Sequence, residues 1–278
     1  MLTASVATAA HAAEPGRAAT SDTPARRLTL PTPTLLTSDS AWLAIKSYGS
    51  IDAVQGFDHT LALASCRRRV STSCRNYDDS VPETSYQVVA RHGDAFEVLI
   101  QAAGYDDGDR DFQSDVDRTI WLARSLGYRR VVWVTLRANV TYNSVVGYAE
   151  VYARNNDTLR DMLASGRYPE LAIADWASYA HDRPQWFSSD GIHMSRRGAY
   201  AAADYISRKM AFLEGRACPN PSTPGGAVAD PCPDPDATGP INDIDGLYPV
   251  NTASPDGGLV LIWEGRGSWP DGPWWEAS

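Results

Sequence analysis

The chain has 278 residues, of which 43% are hydrophobic and 21% charged, and its formal net charge is −9. This composition is typical of a globular protein that can bury a large core. The acidic balance disfavours nucleic acid as a partner, because no basic patch offsets phosphate charge. No apolar run approaches the roughly 18 residues of a membrane-spanning helix.

The first 30 residues are polar and rich in Ala, Thr and Pro, which is typical of a disordered leader. Within them, Ala10-His11-Ala12 has the small-x-small pattern of a signal-peptidase site, although a positive n-region is missing. The segment predicts either the remnant of an export signal or a disordered Ala-rich leader. The first alternative predicts a secreted or cell-wall-associated protein.

Residues 31–214 form the main predicted domain, in which short apolar runs alternate with helical patterns. The predicted strands are Thr34–Thr37, Ile51–Val54, Glu97–Ala102, Arg130–Leu136 and Leu171–Asp175. Apolar residues at helical spacing predict a helix over Asp115–Gly127 and a last helix capped by Ser195. This alternation indicates an α/β fold with a parallel sheet covered on both faces.

In such a sheet, functional residues gather beyond the carboxyl ends of the strands. Ser40 follows the first predicted strand, Gly56 the second, and Gly104–Asp107 the third. Asp190 and His193 lie between the fifth strand and the last helix. We therefore expect four distant segments to meet at one edge of the sheet.

The residue types at this edge fit nucleophilic catalysis. A Ser hydroxyl is a weak nucleophile until a neighbouring base takes its proton. An Asp three positions before a His can orient the imidazole and stabilise the imidazolium that forms. Ser40, His193 and Asp190 are therefore predicted as a catalytic set. By itself, Asp-x-x-His also occurs in ordinary surface loops.

The four cysteines fall into two local pairs, Cys66/Cys74 and Cys218/Cys232. Each pair encloses a polar, turn-rich segment, which favours local disulfides among the three possible pairings. Neither pair has zinc-site spacing. Two disulfides fit an exported protein.

An acidic run after the third strand raises the possibility of a calcium loop. Asp107, Asp109 and Asp111 have the first three spacings of such a loop, but Phe112 and Arg118 stand where it needs Gly and Glu. A solvated loop is the favoured interpretation, and neither a metal nor another cofactor is expected.

Residues 215–278 are rich in Pro, Gly and Trp. Their first part predicts an extended linker stapled by Cys218 and Cys232. Trp269, Trp274 and Trp275 follow, and packing against the main domain is favoured over stacking on sugar rings.

The segments at the sheet edge resemble the SGNH (GDSL-like) hydrolases, particularly exported actinobacterial members, over roughly residues 33–213. The family's blocks correspond to Ser38-Asp39-Ser40, Gly56, Gly104–Asp107 and Asp190–His193. Two positions depart from the family pattern. Ser38 stands in place of Gly, and Asp106 stands in place of an Asn that donates to the oxyanion.

This resemblance implies a three-layer α/β/α fold with about five parallel strands. It also implies an esterase that forms an acyl-serine intermediate on a small ester or an acylated glycan. Ser40, Gly56 and Asp106 would then form the oxyanion hole. An ionised Asp106 can only accept hydrogen bonds, so the site works with two donors, holds a neutral Asp106, or has lost catalysis.

Two other functional classes remain open on these residues. The first is a non-catalytic protein that keeps the cleft to bind a glycan or lipid. The second is a structural wall protein anchored by its Trp-rich end.

Overall fold

The computed structural model describes residues 32–108, 111–140, 148–219 and 229–240. The strands are β1 Thr34–Ser38, β2 His59–Leu63, β3 Val98–Gln101, β4 Arg130–Val134 and β5 Leu171–Ala174. The α-helices are α1 Ser40–Ser47, α2 Ser85–His92, α3 Phe112–Ser125, α4 Ala149–Ala164, α5 Trp176–Tyr179, α6 Arg196–Leu213 and α7 Pro235–Thr238. Short 3-10 helices cover Ser50–Ala53 and Pro184–Trp186. Within these ranges, no helix is both long and apolar enough to cross a membrane.

The five strands form one parallel sheet in the order β2-β1-β3-β4-β5. Thr34 at the start of β1 pairs with His59 and Val98, so the strands begin at one common edge and end at the other. Parallel strands need crossover connections, which the intervening helices supply. The predicted α/β fold with about five parallel strands is confirmed.

Each face of the sheet packs against its own layer of helices. Leu36 and Ile100 belong to a buried cluster that includes apolar residues of α1 and α6. Leu35 and Leu99 belong to a second cluster that includes apolar residues of α2, α3 and α4. Successive strand residues point to opposite faces, so neighbouring leucines serve different layers. The three-layer arrangement is therefore confirmed.

One predicted strand is wrong. Ile51–Val54 was predicted as the second strand, but Ser50–Ala53 forms a 3-10 helix, and the N–H of Val54 donates to the carbonyl of Ile51 at 3.0 Å. The second strand is His59–Leu63, which is an outer strand of the sheet and pairs with β1 alone among the described strands. Its first three residues are only partly buried or exposed, so its apolar pattern is weak.

Residues 229–240 are part of the packed structure rather than the extended linker that the composition suggested. A disulfide joins Cys218 to Cys232 with a Cα–Cα distance of 4.5 Å. The buried ammonium of Lys209 on α6 contacts Asp234 at 2.8 Å and Asp236 at 2.6 Å. Burial makes such a charge stable only when it is paired, so this contact fastens the segment to α6. Trp269, Trp274 and Trp275 lie outside the described residues.

Candidate active site

Ser40 lies where β1 turns into α1. It is the first residue of α1, and Asp39 caps the helix by accepting a hydrogen bond from the N–H of Ala41 at 3.0 Å. The turn thus holds the Ser40 hydroxyl beyond the carboxyl end of a buried strand. Ser38 lies within β1. Its φ is not positive, since the described non-glycine residues with a positive φ are Cys66, Asp79 and Asp111.

Three side chains form a continuous hydrogen-bonded chain. The Oγ atom of Ser40 lies 2.9 Å from Nε2 of His193. The Nδ1 atom of His193 lies 2.5 Å from Oδ2 of Asp190. None of the three residues is more than 9% exposed. The structure therefore brings Ser40, His193 and Asp190 together in the order that proton transfer from the hydroxyl requires.

The local turn holds the Asp190 carboxylate in place. Its Oδ1 atom accepts hydrogen bonds from the N–H groups of Ile192 at 2.8 Å and His193 at 3.0 Å. Burial disfavours ionisation of Asp190, but the imidazole of His193 and these N–H groups outweigh it, so the pKa of Asp190 lies below its usual range. The carboxylate is therefore ionised when it orients the imidazole.

Gly191 lets this turn pass close to the loop after β4. It has a φ of +76°, and a Cβ placed on it would lie 2.5 Å from the carbonyl oxygen of Asn139. The carbonyl oxygen of Gly191 accepts a hydrogen bond from Nη1 of Arg137 at 2.7 Å. The guanidinium carbon of Arg137 lies 4.3 Å from the ring centroid of Phe187. Arg137 thus ties the segment that carries His193 to the sheet edge, a contact the sequence did not reveal.

Asp39 connects the Ser40 turn to the loop after β3. Its Oδ2 atom accepts hydrogen bonds from the N–H groups of Gly104 at 2.7 Å and Tyr105 at 2.8 Å. Burial raises the pKa of Asp39, and its backbone N–H partners oppose that rise. In the sequence, Asp39 is a member of a motif and has no separate predicted role. Its position between a buried strand and the start of a helix could have indicated that it caps the helix.

Asp106 lies in the same loop after β3. Because Asp39 holds the preceding residues Gly104 and Tyr105, Asp106 is placed at the carboxyl edge of the sheet, as expected. The next residue, Asp107, accepts a hydrogen bond from the N–H of Arg69 at 3.0 Å. Burial raises the pKa of Asp107 to about 6 despite Arg69.

Gly56 is placed elsewhere, and the prediction that its N–H serves the oxyanion hole is wrong. It precedes β2, so it lies at the amino edge of the sheet, away from Ser40. Its carbonyl accepts a hydrogen bond from Arg216, and a Cβ placed on it would lie 3.5 Å from Pro219. The error followed from assigning the second strand to Ile51–Val54.

The segment that does follow β2 carries the first disulfide. The N–H of Ala64 donates to the carbonyl of Ser38 at 3.2 Å, which keeps this segment alongside the end of β1. Cys66 has a φ of 63° and is joined to Cys74 with a Cα–Cα distance of 5.0 Å. The chain therefore turns sharply at Cys66, beside the Ser40 turn.

Among the described residues, the one group of candidate metal ligands does not form a usable metal site. Cys66, Cys74 and Asp106 come within 4.8 Å of one another, but both sulfurs are bonded in the disulfide and are not thiolate ligands. In the acidic run, Asp107 is engaged by Arg69, and Asp109 lies outside the described residues.

No family model matches the sequence, and no curated protein matches it. Among solved structures, a carbohydrate acetylesterase family member from Sinorhizobium meliloti is 16% identical, with 63% of this chain and 95% of that chain covered and a TM-score of 0.48. An acetyl xylan esterase from Geobacillus stearothermophilus is 12% identical, with 64% and 94% covered and a TM-score of 0.42. A GDSL-like lipase from Bacteroides thetaiotaomicron VPI-5482 is 10% identical, with 66% and 88% covered and a TM-score of 0.44. At such identities and TM-scores, these similarities establish neither the family nor the activity of this chain.

Proposed function

We propose that this protein is a serine ester hydrolase of the SGNH type, with Ser40 as nucleophile, His193 as general base and Asp190 as the residue that orients the base. The observation that carries the proposal is the continuous contact from Ser40 Oγ through His193 to Asp190, with distances of 2.9 and 2.5 Å. These residues are far apart in sequence, and their meeting at the carboxyl edge of a parallel sheet fits a catalytic site.

In the first half of the reaction, Ser40 Oγ attacks the carbonyl carbon of the ester. Its proton passes to Nε2 of His193, and the carbonyl electron pair moves onto the oxygen. When the tetrahedral intermediate collapses, the bond to the alcohol oxygen breaks and His193 returns the proton to that oxygen. The alcohol leaves, and the acyl group remains on Ser40.

In the second half, water attacks the acyl-serine. His193 takes a proton from the water, and the new tetrahedral intermediate collapses with release of the carboxylic acid. The proton returns from His193 to Ser40 Oγ, which restores the starting state. Asp190 stays ionised throughout and stabilises each imidazolium that forms.

The tetrahedral oxyanion needs donors that are already in place, and backbone N–H groups can supply them. The N–H of Ser40 belongs to the first turn of α1, where an N–H has no acceptor within its own helix. A second N–H would come from Ser65 or Cys66, since these residues follow β2 at the same edge as Ser40. This pair replaces the one that included Gly56.

A small ester or an acylated glycan is the proposed substrate class, and export from the cytoplasm is part of the proposal. The disulfides Cys66–Cys74 and Cys218–Cys232 support export, because such bonds persist in oxidising compartments. The leader lies outside the described residues.

Hydrolysis of an aryl acetate tests the proposal against a binding protein that keeps only the cleft. The unaltered protein should turn over the ester, and Ser40→Ala should reduce the rate by at least about 1,000-fold. Ser47→Ala is the matched control on the same helix, where the hydroxyl bonds the carbonyl of Leu43, and it should remain active. Equal background rates for all three proteins would favour the binding protein.

A further inference from the structure

Among the residues that the structure describes, no donor stabilises the ionised form of the Asp106 carboxyl group. Its Oδ2 atom is buried and has no hydrogen-bond partner among the described residues. Its Oδ1 atom lies 3.8 Å from Sγ of Cys74, which is bonded to Cys66 and has no proton to donate. A buried carboxylate without donors is costly, so this environment favours the neutral acid.

The charges that face Asp106 do not reverse this preference. Asp39 and Asp107 carry the same sign and raise its pKa, while His193 and Arg68 lower it. The Nε–H of Arg68 donates a hydrogen bond to the backbone carbonyl of Asp106 at 2.9 Å rather than to its carboxyl group.

Two further charged or titratable groups lie nearby. Arg69 is engaged by Asp107 and Asp115, and Tyr152 interacts electrostatically with Asp106. Burial first, and then the neighbouring carboxylates, raise the pKa of Asp106 to about 7.

The loop that carries Asp106 is tied to the nucleophile's turn. Asp39, which directly precedes Ser40, accepts hydrogen bonds from Gly104 and Tyr105, the two residues before Asp106. This arrangement keeps the loop that carries Asp106 beside the turn that presents Ser40.

We propose that Asp106 acts as a neutral acid whose O–H donates a hydrogen bond to the oxyanion, and that hydrolysis is switched off when Asp106 loses that proton. This inference rests on the proposed esterase function. Asp106 keeps its proton throughout the cycle, since the hydrogen bond is donated and no proton is transferred. Once ionised, Asp106 offers no donor and places a negative charge beside the developing one.

The result is an alkaline limit on activity. At high pH, an ionised Asp106 opposes the oxyanion. Asn in place of Asp106 would donate at every pH, whereas Ala would donate at none.

The test is the pH profile of kcat/KM for an aryl acetate between about pH 5 and 9, corrected for spontaneous hydrolysis. The unaltered protein should lose about tenfold per pH unit above about pH 7. Asp106→Asn should lack this alkaline fall. Its kcat/KM relative to that of the unaltered protein should therefore grow about tenfold per pH unit above about pH 7. Asp106→Ala should be about 100-fold below the unaltered protein at pH 6 and should also lack the fall.

Asp107→Asn is the matched control, because it changes the adjacent carboxyl of the same loop. Whatever hydrolysis rate Asp107→Asn retains, that rate should still fall at alkaline pH. Circular dichroism checks that each variant is folded. An alkaline fall that persists in Asp106→Asn, or that disappears in Asp107→Asn, would overturn the inference. So would an Asp106→Ala protein as active at pH 6 as the unaltered one.

Failure of this inference is distinguishable from failure of the proposed function. If the unaltered protein hydrolyses the ester through Ser40 and its profile superimposes on that of Asp106→Asn, only the role of Asp106 is rejected. If the unaltered protein and Asp106→Asn both lack turnover at every pH, the esterase proposal fails and this inference fails with it.

Discussion

The Oδ2 atom of Asp39 accepts a hydrogen bond from the backbone N–H of Tyr105 at 2.8 Å. This bond joins the turn that presents Ser40 to the loop that presents Asp106. The same oxygen also accepts a hydrogen bond from the N–H of Gly104, so one buried carboxyl group sets the spacing of two parts of the site.

Asp39→Asn is therefore expected to reduce both stability and activity. The amide oxygen of Asn can replace only one of the two carboxylate oxygens. The amide N–H₂ would then face N–H groups that need an acceptor, either that of Ala41 or those of Gly104 and Tyr105. The free energy of unfolding should fall by roughly 1–3 kcal/mol, as expected for a buried donor left unsatisfied. Urea unfolding measures this loss. An unfolding midpoint equal to that of the unaltered protein would show that the bond from Asp39 to Tyr105 is unimportant.

Asp190→Asn should lower kcat by roughly 100- to 10,000-fold. The Asn could still accept from the N–H groups of the turn, but its N–H₂ would face Nδ1 of His193 and favour the wrong imidazole tautomer. Asp182→Asn is a suitable control, since its side chain is 93% exposed. Steady-state kinetics should show no comparable loss in the control. Similar rates for both variants would argue against the role given to Asp190.

Gly191→Ala should disturb the turn that carries His193. A methyl group there meets the carbonyl of Asn139 at 2.5 Å, in addition to the strain of a positive φ. Gly166→Ala isolates the strain alone, because Gly166 has a φ of +66° and open space around its Cβ position. Strain should cost each variant roughly 1–2 kcal/mol, and Gly191→Ala should lose more than its control. Thermal unfolding and kcat are measured for both variants. Equal losses in Gly191→Ala and Gly166→Ala would argue against a steric effect of the contact between position 191 and the carbonyl of Asn139.

The raised pKa of Asp106 makes stability depend on pH. Between about pH 4 and 7 the folded protein holds a proton on Asp106 that the unfolded chain releases, so stability falls as pH rises. Asp106→Asn lacks this loss. Its stability relative to the unaltered protein should grow by up to about 1.4 kcal/mol per pH unit across that window and then level off. Urea unfolding at pH 5 and pH 8 checks the sign, and an unchanged difference would mean that Asp106 is not neutral in the folded state.

The parts of the fold that were predictable are those with strong apolar patterns. β1 and β3 are buried throughout, β4 is buried after Arg130, and β5 is buried at its first and last residues. The last helix begins after Ser195, whose hydroxyl caps it by accepting from the N–H of Gly198. In these segments local propensity and tertiary packing agree.

The errors arose where local pattern and packing disagree. Ile51–Val54 has an apolar alternation but forms a 3-10 turn, while the edge strand His59–Leu63 has a polar first half. That misplacement also moved Gly56 to the wrong edge of the sheet. α4 was missed because some of its buried residues are polar. Asn156, for example, bonds the backbone N–H and carbonyl of Leu136 across the chain.

Some features of the site depend on contacts that no sequence spacing encodes. The approach of Arg137 to Gly191 and the donor-free environment of Asp106 both arise from loops that are distant in sequence. The departure of Asp106 from the family pattern was visible in the sequence. Whether its carboxyl group would find a donor depended on the packing around it.

The most direct measurement is covalent labelling by a fluorophosphonate probe, which reacts with an activated serine whatever the natural substrate. The unaltered, folded protein should acquire one label on the peptide that contains Ser40. Ser40→Ala should acquire none, and Ser47→Ala should be labelled like the unaltered protein. A folded protein that stays unlabelled between about pH 6 and 8, or a label that persists in Ser40→Ala, would contradict the role of Ser40 as an activated nucleophile.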